Sequence, residues 1–153
     1  MLLLLASGVH GKFIYLINKM TEEDKRLLLK DLCSRLPYQT YIEWDDGYAL
    51  LSIDRFKDIV SNKFGDDWKR PYLRPLSDMT EKEEKELRKD YNYHIYGDQI
   101  RLYYHSEGYW DTDNDTYSND YLDLFEWLMD HHFDFRGLIK KGLALVAEKG
   151  MYD

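Results

Sequence analysis

The spacing of leucines after residue 20 predicts the most regular element of the chain. Leucines recur at intervals of four over residues 28–36, which places them on one face of a helix. Thr21 can cap the start of this helix, and Pro37 ends it because its ring interrupts the helical hydrogen bonds. The pattern therefore predicts an amphipathic helix over residues 21–35. Cys33 lies beside the leucine stripe, and we expect it to be buried as a small hydrophobic residue.

Two pairs of β-rich segments are separated by turn residues and predict two hairpins. They cover residues 38–44 with 48–53, and residues 91–96 with 99–105. Gly47 and Gly97 each stand next to an aspartate in the intervening turn. Glycine-aspartate pairs suit tight hairpin turns because glycine accepts the positive φ angles that such turns need. Both hairpins are therefore expected to be antiparallel.

The region between the two hairpins predicts a short element, an extended segment and a helix. Residues 55–68 are compatible with a short helix or with a third strand at 58–64. The prolines that bound residues 71–75 hold that segment extended. Thr80 and Glu83 form a Thr-x-x-Glu capping box. A largely charged surface helix is therefore expected to begin at Thr80.

The C-terminal third predicts a loop followed by two helices. A polar loop covers residues 106–119, and a third helix follows over residues 120–131. The apolar stripe expected for that helix consists of Leu122, Phe125, Leu128 and Met129, with Asp123, Glu126 and Asp130 facing outwards. A last short helix over residues 136–141 is expected to be capped by Asp134 and closed by Gly142.

These elements predict an α+β fold in which about three or four short helices pack on antiparallel β-hairpins. We expect a single domain over residues 20–153, because hydrophobic residues make up 44% of the 153-residue chain and supply a core. Residues 1–19 hold two short apolar runs, but lack the basic start and long apolar core of a signal peptide. We interpret them as a non-native or upstream extension before a start at Met20. An edge strand at 13–17 is the alternative.

The charge balance bears on the class of partner. The chain carries 29 acidic and 21 basic residues, for a formal net charge of −8. Nucleic-acid backbones and anionic membranes would be repelled by this charge, so we expect neither direct nucleic-acid binding nor membrane association. Cys33 is the only cysteine, which excludes an internal disulfide and a cysteine-based zinc site. No cofactor is expected.

Acidic and aromatic residues are concentrated between Arg101 and Arg136, where the sequence has no lysine or arginine. Tyrosine and tryptophan give large contact areas, and an acidic surface attracts a basic protein. The alternative is a solvated loop and helix face whose charge only maintains solubility. The candidate binding residues are Glu107, Tyr109, Trp110, Asp111, Asp113, Asp115, Tyr117 and Trp127.

The alternating aspartates at residues 111–115 resemble the start of a calcium-binding loop. Alternating carboxylates can converge on a hard cation. However, Thr116 stands where the loop requires glycine, and Leu122 where it requires a bidentate glutamate. We therefore predict no dedicated metal site.

His131 and His132, close to Asp134, are the other candidates for chemistry. Such groups can bind a transition metal or serve acid–base catalysis. Neighbouring helical residues point about 100° apart, which disfavours a shared metal, so we favour helix-end contacts for the histidines and capping for Asp134. The competing hypothesis is a metal-assisted hydrolase or nuclease. It would be built from His105, Asp111, Asp113, His131, His132 and Asp134.

Three stretches of the sequence are similar to a known family. They are LLLKDLCSRLPY at 27–38, PYLRPLSDMTE at 71–81, and WLMDHHFDFRGLI at 127–139 with KGLAL at 141–145. They resemble a family of small uncharacterised proteins found in phages, prophages and mobile elements of gut anaerobic bacteria. The resemblance covers residues 20–152 and implies a start near Met20 and a cytoplasmic location in a bacterial host. It transfers no activity and no functional residue.

The acidic aromatic segment and this resemblance lead to one expectation about function. We expect a non-catalytic intracellular interaction module of phage or mobile-element origin. Its acidic aromatic surface would bind a host or phage protein of basic character.

Overall fold

The computed structural model describes residues 20–45, 47–61, 68–90, 93–97, 99–102 and 115–153, with the backbone alone at 101–102 and 115–121. Its helices are α1 (Glu22–Arg35), α2 (Ile53–Val60), α3 (Glu81–Asp90) and α4 (Asp115–Asp130). Its strands are β1 (Tyr41–Trp44), β2 (Gly47–Leu50), β3 (Tyr72–Leu73), β4 (Tyr93–Tyr96), β5 (Gln99–Leu102) and β6 (Leu145–Val146). Short 3-10 turns cover Leu36–Tyr38 and Leu76–Asp78. The predicted α+β class is confirmed.

Helix α1 forms as predicted, but its buried side differs from the leucine stripe. The Thr21 hydroxyl accepts a hydrogen bond from the backbone N–H of Asp24 at 3.1 Å and caps the helix. Leu28 and Leu32 are fully buried, and so are two charged residues, Asp31 and Arg35. These two turn the buried side away from residue 33, so the prediction that Cys33 is buried was wrong: Cys33 is exposed.

The two predicted hairpins are confirmed, with shorter strands than expected. Strands β1 and β2 pair antiparallel with Tyr41 opposite Leu50, and β4 pairs with β5 in the same way. Gly97 turns the second hairpin with a φ of 59°, a conformation that glycine adopts at little cost. Residues 91–92 and 103–105, which the prediction assigned to strands, lie outside the described residues.

The region between the hairpins folds largely as predicted. The helical alternative is confirmed by α2, which Ser52 caps through the N–H of Arg55. Helix α3 has the predicted capping box: Thr80 N–H donates to Glu83 Oε2 at 2.8 Å, and Glu83 N–H donates to Thr80 Oγ1 at 3.2 Å. Residues 62–67 lie outside the described residues.

A parallel strand pair was not predicted. Strand β3 pairs with β6, Tyr72 opposite Leu145, and an isolated bridge joins Ile42 of β1 to Pro71. Immediately after β3, a parallel bridge joins Arg74 to Phe133. Segment 71–74 therefore connects the first hairpin to two C-terminal segments. Helix α1 covers the side of β1 that carries Ile42.

Helix α4 begins at Asp115, five residues earlier than predicted. The predicted loop is therefore wrong for residues 115–119, while residues 106–114 lie outside the described part. The predicted stripe is wrong at Leu122, which is 59% exposed, and it omitted Leu124, which is buried. Leu124 and Leu128, four residues apart, face the core. The polar start of α4 offers no apolar periodicity from which to locate its first turn.

The predicted last helix over 136–141 does not form, and a series of turns takes its place. Asp134 does cap this segment, since its carboxylate accepts the N–H groups of Leu138 at 2.9 Å and Ile139 at 2.8 Å. Gly137 has a φ of 68°, which interrupts a right-handed helix. Gly142 ends the turns with a φ of 72°.

The core consists of three clusters of buried hydrophobic residues. One lies among α3, β4 and α4, a second among α1, β1 and α2, and a third between β3 and the C-terminal turns. Their buried members are Leu76, Leu87, Tyr93, Leu124, Leu128 and Phe133; Leu28, Leu32, Ile42, Leu51 and Ile59; and Leu73, Leu138, Leu143 and Ala144. Met20 packs against the second and third clusters. No helix in the described part is long and apolar enough to cross a membrane.

A buried ionic network joins α1 to the C-terminal segment. Arg35, which is fully buried, donates from Nε to Asp31 Oδ2 at 2.7 Å and from Nη2 to the Phe133 carbonyl at 2.8 Å. Arg136 donates from Nη1 to the other oxygen of Asp31. One carboxylate therefore holds two guanidinium groups, and removing one partner of such a buried set is strongly destabilising.

Leu32→Ala is expected to lower the free energy of unfolding by about 2–5 kcal/mol, because it leaves a cavity in the second cluster. Urea unfolding of the whole protein measures this change. Leu122→Ala, at an exposed position of α4, is the control and should change the free energy by less than about 0.5 kcal/mol. A negligible loss for Leu32→Ala would contradict the docking of α1.

Candidate functional site

The predicted acidic aromatic segment lies partly within the described residues. Two of its candidate residues, Asp115 and Tyr117, fall at the start of α4, where the backbone alone is described. Trp127 is the candidate whose surroundings are described. The others lie outside the described residues: Glu107, Tyr109, Trp110, Asp111 and Asp113.

Trp127 packs α4 onto the core. Its indole stacks on the His131 imidazole, with ring centroids 3.8 Å apart and planes 18° apart. It is also nearly parallel to the Phe133 ring at 6.0 Å. Its Nε1 is buried, and no described residue forms a hydrogen bond with it. Trp127 therefore contributes to packing, and other residues form the outer surface of the helix.

The outer surface of α4 is acidic. Leu122, Asp123, Glu126 and Asp130 are exposed there, and at 100° per residue they fall within an arc of about 100°. We call these four residues the acidic face of α4. None of its three carboxylates has an ion-pair partner among the described residues. The predicted outward orientation of Asp123, Glu126 and Asp130 is confirmed.

The position of these carboxylates is unfavourable for the helix itself. Asp130 ends α4 and Glu126 lies one turn earlier, at the end where the helix dipole is negative. No lysine or arginine occurs between residues 115 and 130. By contrast, α1 has Arg35 in its last turn, and α3 has Arg88 and Lys89. The end of α4 therefore lacks the cations that the ends of α1 and α3 possess.

Tyr38 lies beside the acidic face and experiences its negative charge. Partial burial raises the pKa of its phenol, and the carboxylates of Glu126 and Asp130 raise it further. The prediction placed Tyr38 at the start of a strand, whereas it ends the 3-10 turn after α1. No local sequence signal indicates that residue 38 approaches residues 126 and 130. The candidate site is the acidic face together with Tyr38.

The two histidines at the end of α4 make structural contacts. His131 Nδ1 lies 2.9 Å from the Trp127 carbonyl in the last turn of α4, which also accepts the backbone N–H of His131 at 3.0 Å. His132 is buried with a φ of 59°, and its ring stacks on Tyr152 with centroids 3.6 Å apart. Its Nδ1 lies 3.4 Å from Thr40 Oγ1. The predicted helix-end contact is thus made by His131.

His132 is neutral at pH 7. Burial lowers the pKa of its imidazole to about 4, and the positive charges of Arg35 and Arg74 act in the same direction. Because burial among arginines disfavours its protonated form, His132 places no positive charge at the end of α4.

The Tyr152 hydroxyl bridges β1 and β3. It accepts a hydrogen bond from the Tyr41 N–H at 3.0 Å and donates one to the Tyr72 carbonyl at 2.7 Å. Burial raises the pKa of Tyr152 to about 12, so the hydroxyl keeps its proton and its donor role. The Tyr152 hydroxyl thus links two backbone groups, Tyr41 N–H and Tyr72 C=O, of the kind that bond directly to each other between paired strands.

A cleft of about 760 Å³ is bordered by both histidines, Arg74 and Tyr152. The Asp134 carboxylate is not part of this cleft, since it caps the turn after residue 134. Within the described ranges, no three histidine, cysteine, aspartate or glutamate side chains are grouped so that they could hold a metal ion. The remaining groups of the enzyme hypothesis lie outside those ranges: His105, Asp111 and Asp113.

No protein-family model, no curated protein and no solved structure matches the chain. The resemblance to proteins of phages and mobile elements therefore stays a prediction, and the function is inferred from the chemistry of the described residues.

The buried state of His132 predicts a pH dependence of stability. Its folded pKa of about 4 lies below the ordinary value of 6.5, so the unfolded chain binds a proton between these values while the folded protein does not. The free energy of unfolding should fall as the pH decreases from 6.5 to 4. His132→Phe should reduce the slope of the unfolding free energy against pH by an amount that corresponds to at most one bound proton. Urea unfolding across that pH range measures the slope. The exposed His94→Gln is the control, and an equal slope in all three proteins would contradict a buried neutral His132.

Tyr152→Phe should lower the free energy of unfolding by about 1–3 kcal/mol, because the Tyr41 N–H and the Tyr72 carbonyl lose their shared partner. The stacking on His132 stays in place, so the change isolates the hydroxyl. Urea unfolding measures the effect, with Tyr48→Phe at an exposed position as the matched control. Equal stabilities of the two variants would show that the bridge does not stabilise the sheet.

Proposed function

We propose that the protein is a non-catalytic interaction module that binds a basic protein through the acidic face of α4. The observation that carries the proposal is a set of carboxylates without ion-pair partners in the described part of the chain, two of which, Glu126 and Asp130, lie at the dipole-negative end of this helix. Helices are more stable with cations at that end, as in α1 and α3. A local arrangement that costs stability without a compensating contact is expected at functional positions.

The same geometry indicates the chemistry of the partner. Lysine or arginine side chains of a bound protein would pair with Glu126 and Asp130 and also complement the helix dipole. Leu122 and Tyr38 would provide apolar and aromatic contact beside the charges. Partner binding would thus supply the cations that α4 lacks, and the affinity should fall as salt concentration rises.

Two further expectations belong to this proposal. The candidate residues between positions 107 and 117 would extend the acidic surface beyond the start of α4. The resemblance to proteins of phages and mobile elements suggests that the partner is a host or phage protein in a bacterial cytoplasm. The enzyme hypothesis receives no support from the described histidines, which are engaged in packing.

The triple variant Asp123→Asn, Glu126→Gln, Asp130→Asn should separate stability from binding. It should unfold at the same or a higher temperature, because removing the charges of Glu126 and Asp130 from the helix end relieves about 0.3–1 kcal/mol for each of these two residues. It should also no longer bind the partner protein. Thermal unfolding gives the first quantity, and affinity capture from bacterial lysate at two salt concentrations, read by mass spectrometry, gives the second.

The matched control removes three carboxylates elsewhere. Glu23→Gln, Glu81→Gln and Glu86→Gln change the net charge equally at exposed positions of α1 and α3. This control should keep the partner and be slightly less stable, because Glu23 and Glu81 lie at dipole-positive helix starts. A partner that both triple variants retain, or both lose, would refute a specific role for α4.

A further inference from the structure

A second cavity carries a charge opposite to that of the whole protein. It has a volume of about 650 Å³ and lies between β5 and the turns after residue 134. Among the described residues, its lining includes three cations and no carboxylate, on a chain with a net charge of −8. The lining residues that matter are Ile100, Phe135, Arg136, Lys140 and Lys141. Such a local inversion of charge favours an anionic ligand.

Arg136 is held in a fixed orientation at this cavity. Its Nη1 donates to Asp31 Oδ1 and to Ser34 Oγ at 3.1 Å, and its guanidinium lies over the Phe135 ring, 4.6 Å from the centroid. Its Nε and Nη2 have no hydrogen-bond partner among the described residues. One edge of the guanidinium is therefore anchored by the protein, while the other edge remains available for a ligand.

Other arginines of the same protein show what that free edge can bind. Arg70 uses Nε and Nη2 to hold both carboxylate oxygens of Glu43, at 2.8 and 2.9 Å. Arg88 donates from the same two nitrogens to Glu84. This edge matches two oxygens of one oxoanion. The free edge of Arg136 thus offers the same fork to an anion in the cavity.

The buried network around Arg136 carries more positive than negative charge, which favours an additional anion. The Asp31 carboxylate is shared by Arg35 and Arg136, so the buried network holds two cations for one anion. Arg35 is fully buried, and its Nη1 has no hydrogen-bond partner in the part of the chain that the structure describes. An anion bound to Arg136 would compensate the excess charge. The ammonium group of Lys141 would contribute further attraction.

We propose that this cavity binds a small organic phosphate. Its volume lies within the range of small-molecule sites. The phosphate would accept hydrogen bonds from Arg136 Nε and Nη2. Its charge of nearly −2 suits a site with more than one cation better than the single charge of a carboxylate does. The organic part would contact Phe135 and Ile100. A neighbouring apolar cavity of about 370 Å³, which shares Lys140, gives it additional room. This site is separate from the acidic face of α4.

Isothermal titration calorimetry of the full chain with phenyl phosphate, inorganic phosphate and benzoate tests the proposal. Phenyl phosphate should bind saturably and most tightly, inorganic phosphate more weakly because it lacks the ring, and benzoate least tightly. Arg136→Lys keeps the charge but loses the fork, and should weaken phenyl phosphate at least about tenfold. Lys141→Gln, at an exposed position, should weaken it several-fold.

Lys85→Gln on the outside of α3 removes the same charge at an exposed position and should leave the affinity unchanged. Absence of saturable binding of phenyl phosphate to the unmodified protein would overturn the proposal. So would equal losses in Lys141→Gln and Lys85→Gln, which would indicate general charge attraction. Tighter binding of benzoate than of phenyl phosphate would reject the phosphate in favour of a carboxylate ligand.

Discussion

The buried carboxylate of Asp31 is the constraint on which the rest of the structure depends. A charge without solvent contact is tolerated only when it is paired and hydrogen-bonded, and Asp31 has Arg35 and Arg136 as partners. Arg35 also holds the Phe133 carbonyl. One turn of α1 therefore fixes the backbone at residue 133 and the side chain at residue 136, more than 90 positions further along the chain.

The features of functional interest lie around that anchored segment. Arg74 continues the pairing of β3 onto Phe133, and the turn at His132 places its ring against Tyr152, whose hydroxyl closes the gap between β1 and β3. On the other side, Arg136 presents its free edge to a cavity. The acidic face of α4 lies just before this segment, so a rigid support holds both proposed sites while their outer side chains remain exposed.

The sequence predicted those parts that local interactions determine. Thr21, the Thr80–Glu83 capping box and Gly97 act within a few residues of their own positions, and α1, α3 and both hairpins form accordingly. The parallel pair of β3 with β6, the bridging role of Tyr152 and the approach of Tyr38 to α4 depend on residues far apart in the chain. The exposure of Cys33 follows from the burial of Asp31 and Arg35, which a stripe of leucines does not reveal. The carboxylates of α4 were predictable because periodicity alone orients them.

The bridge made by Tyr152 has a consequence for the order of folding. Tyr41 and Tyr152 are 111 residues apart in the chain. The Asp31–Arg35 pair spans only four residues, so it can form together with the last turn of α1. Contacts of long sequence separation carry a large loop-closure entropy and form late. We infer that the first hairpin and α1 associate early, and that the slow step of folding is the arrival of the C-terminal segment, which completes the sheet.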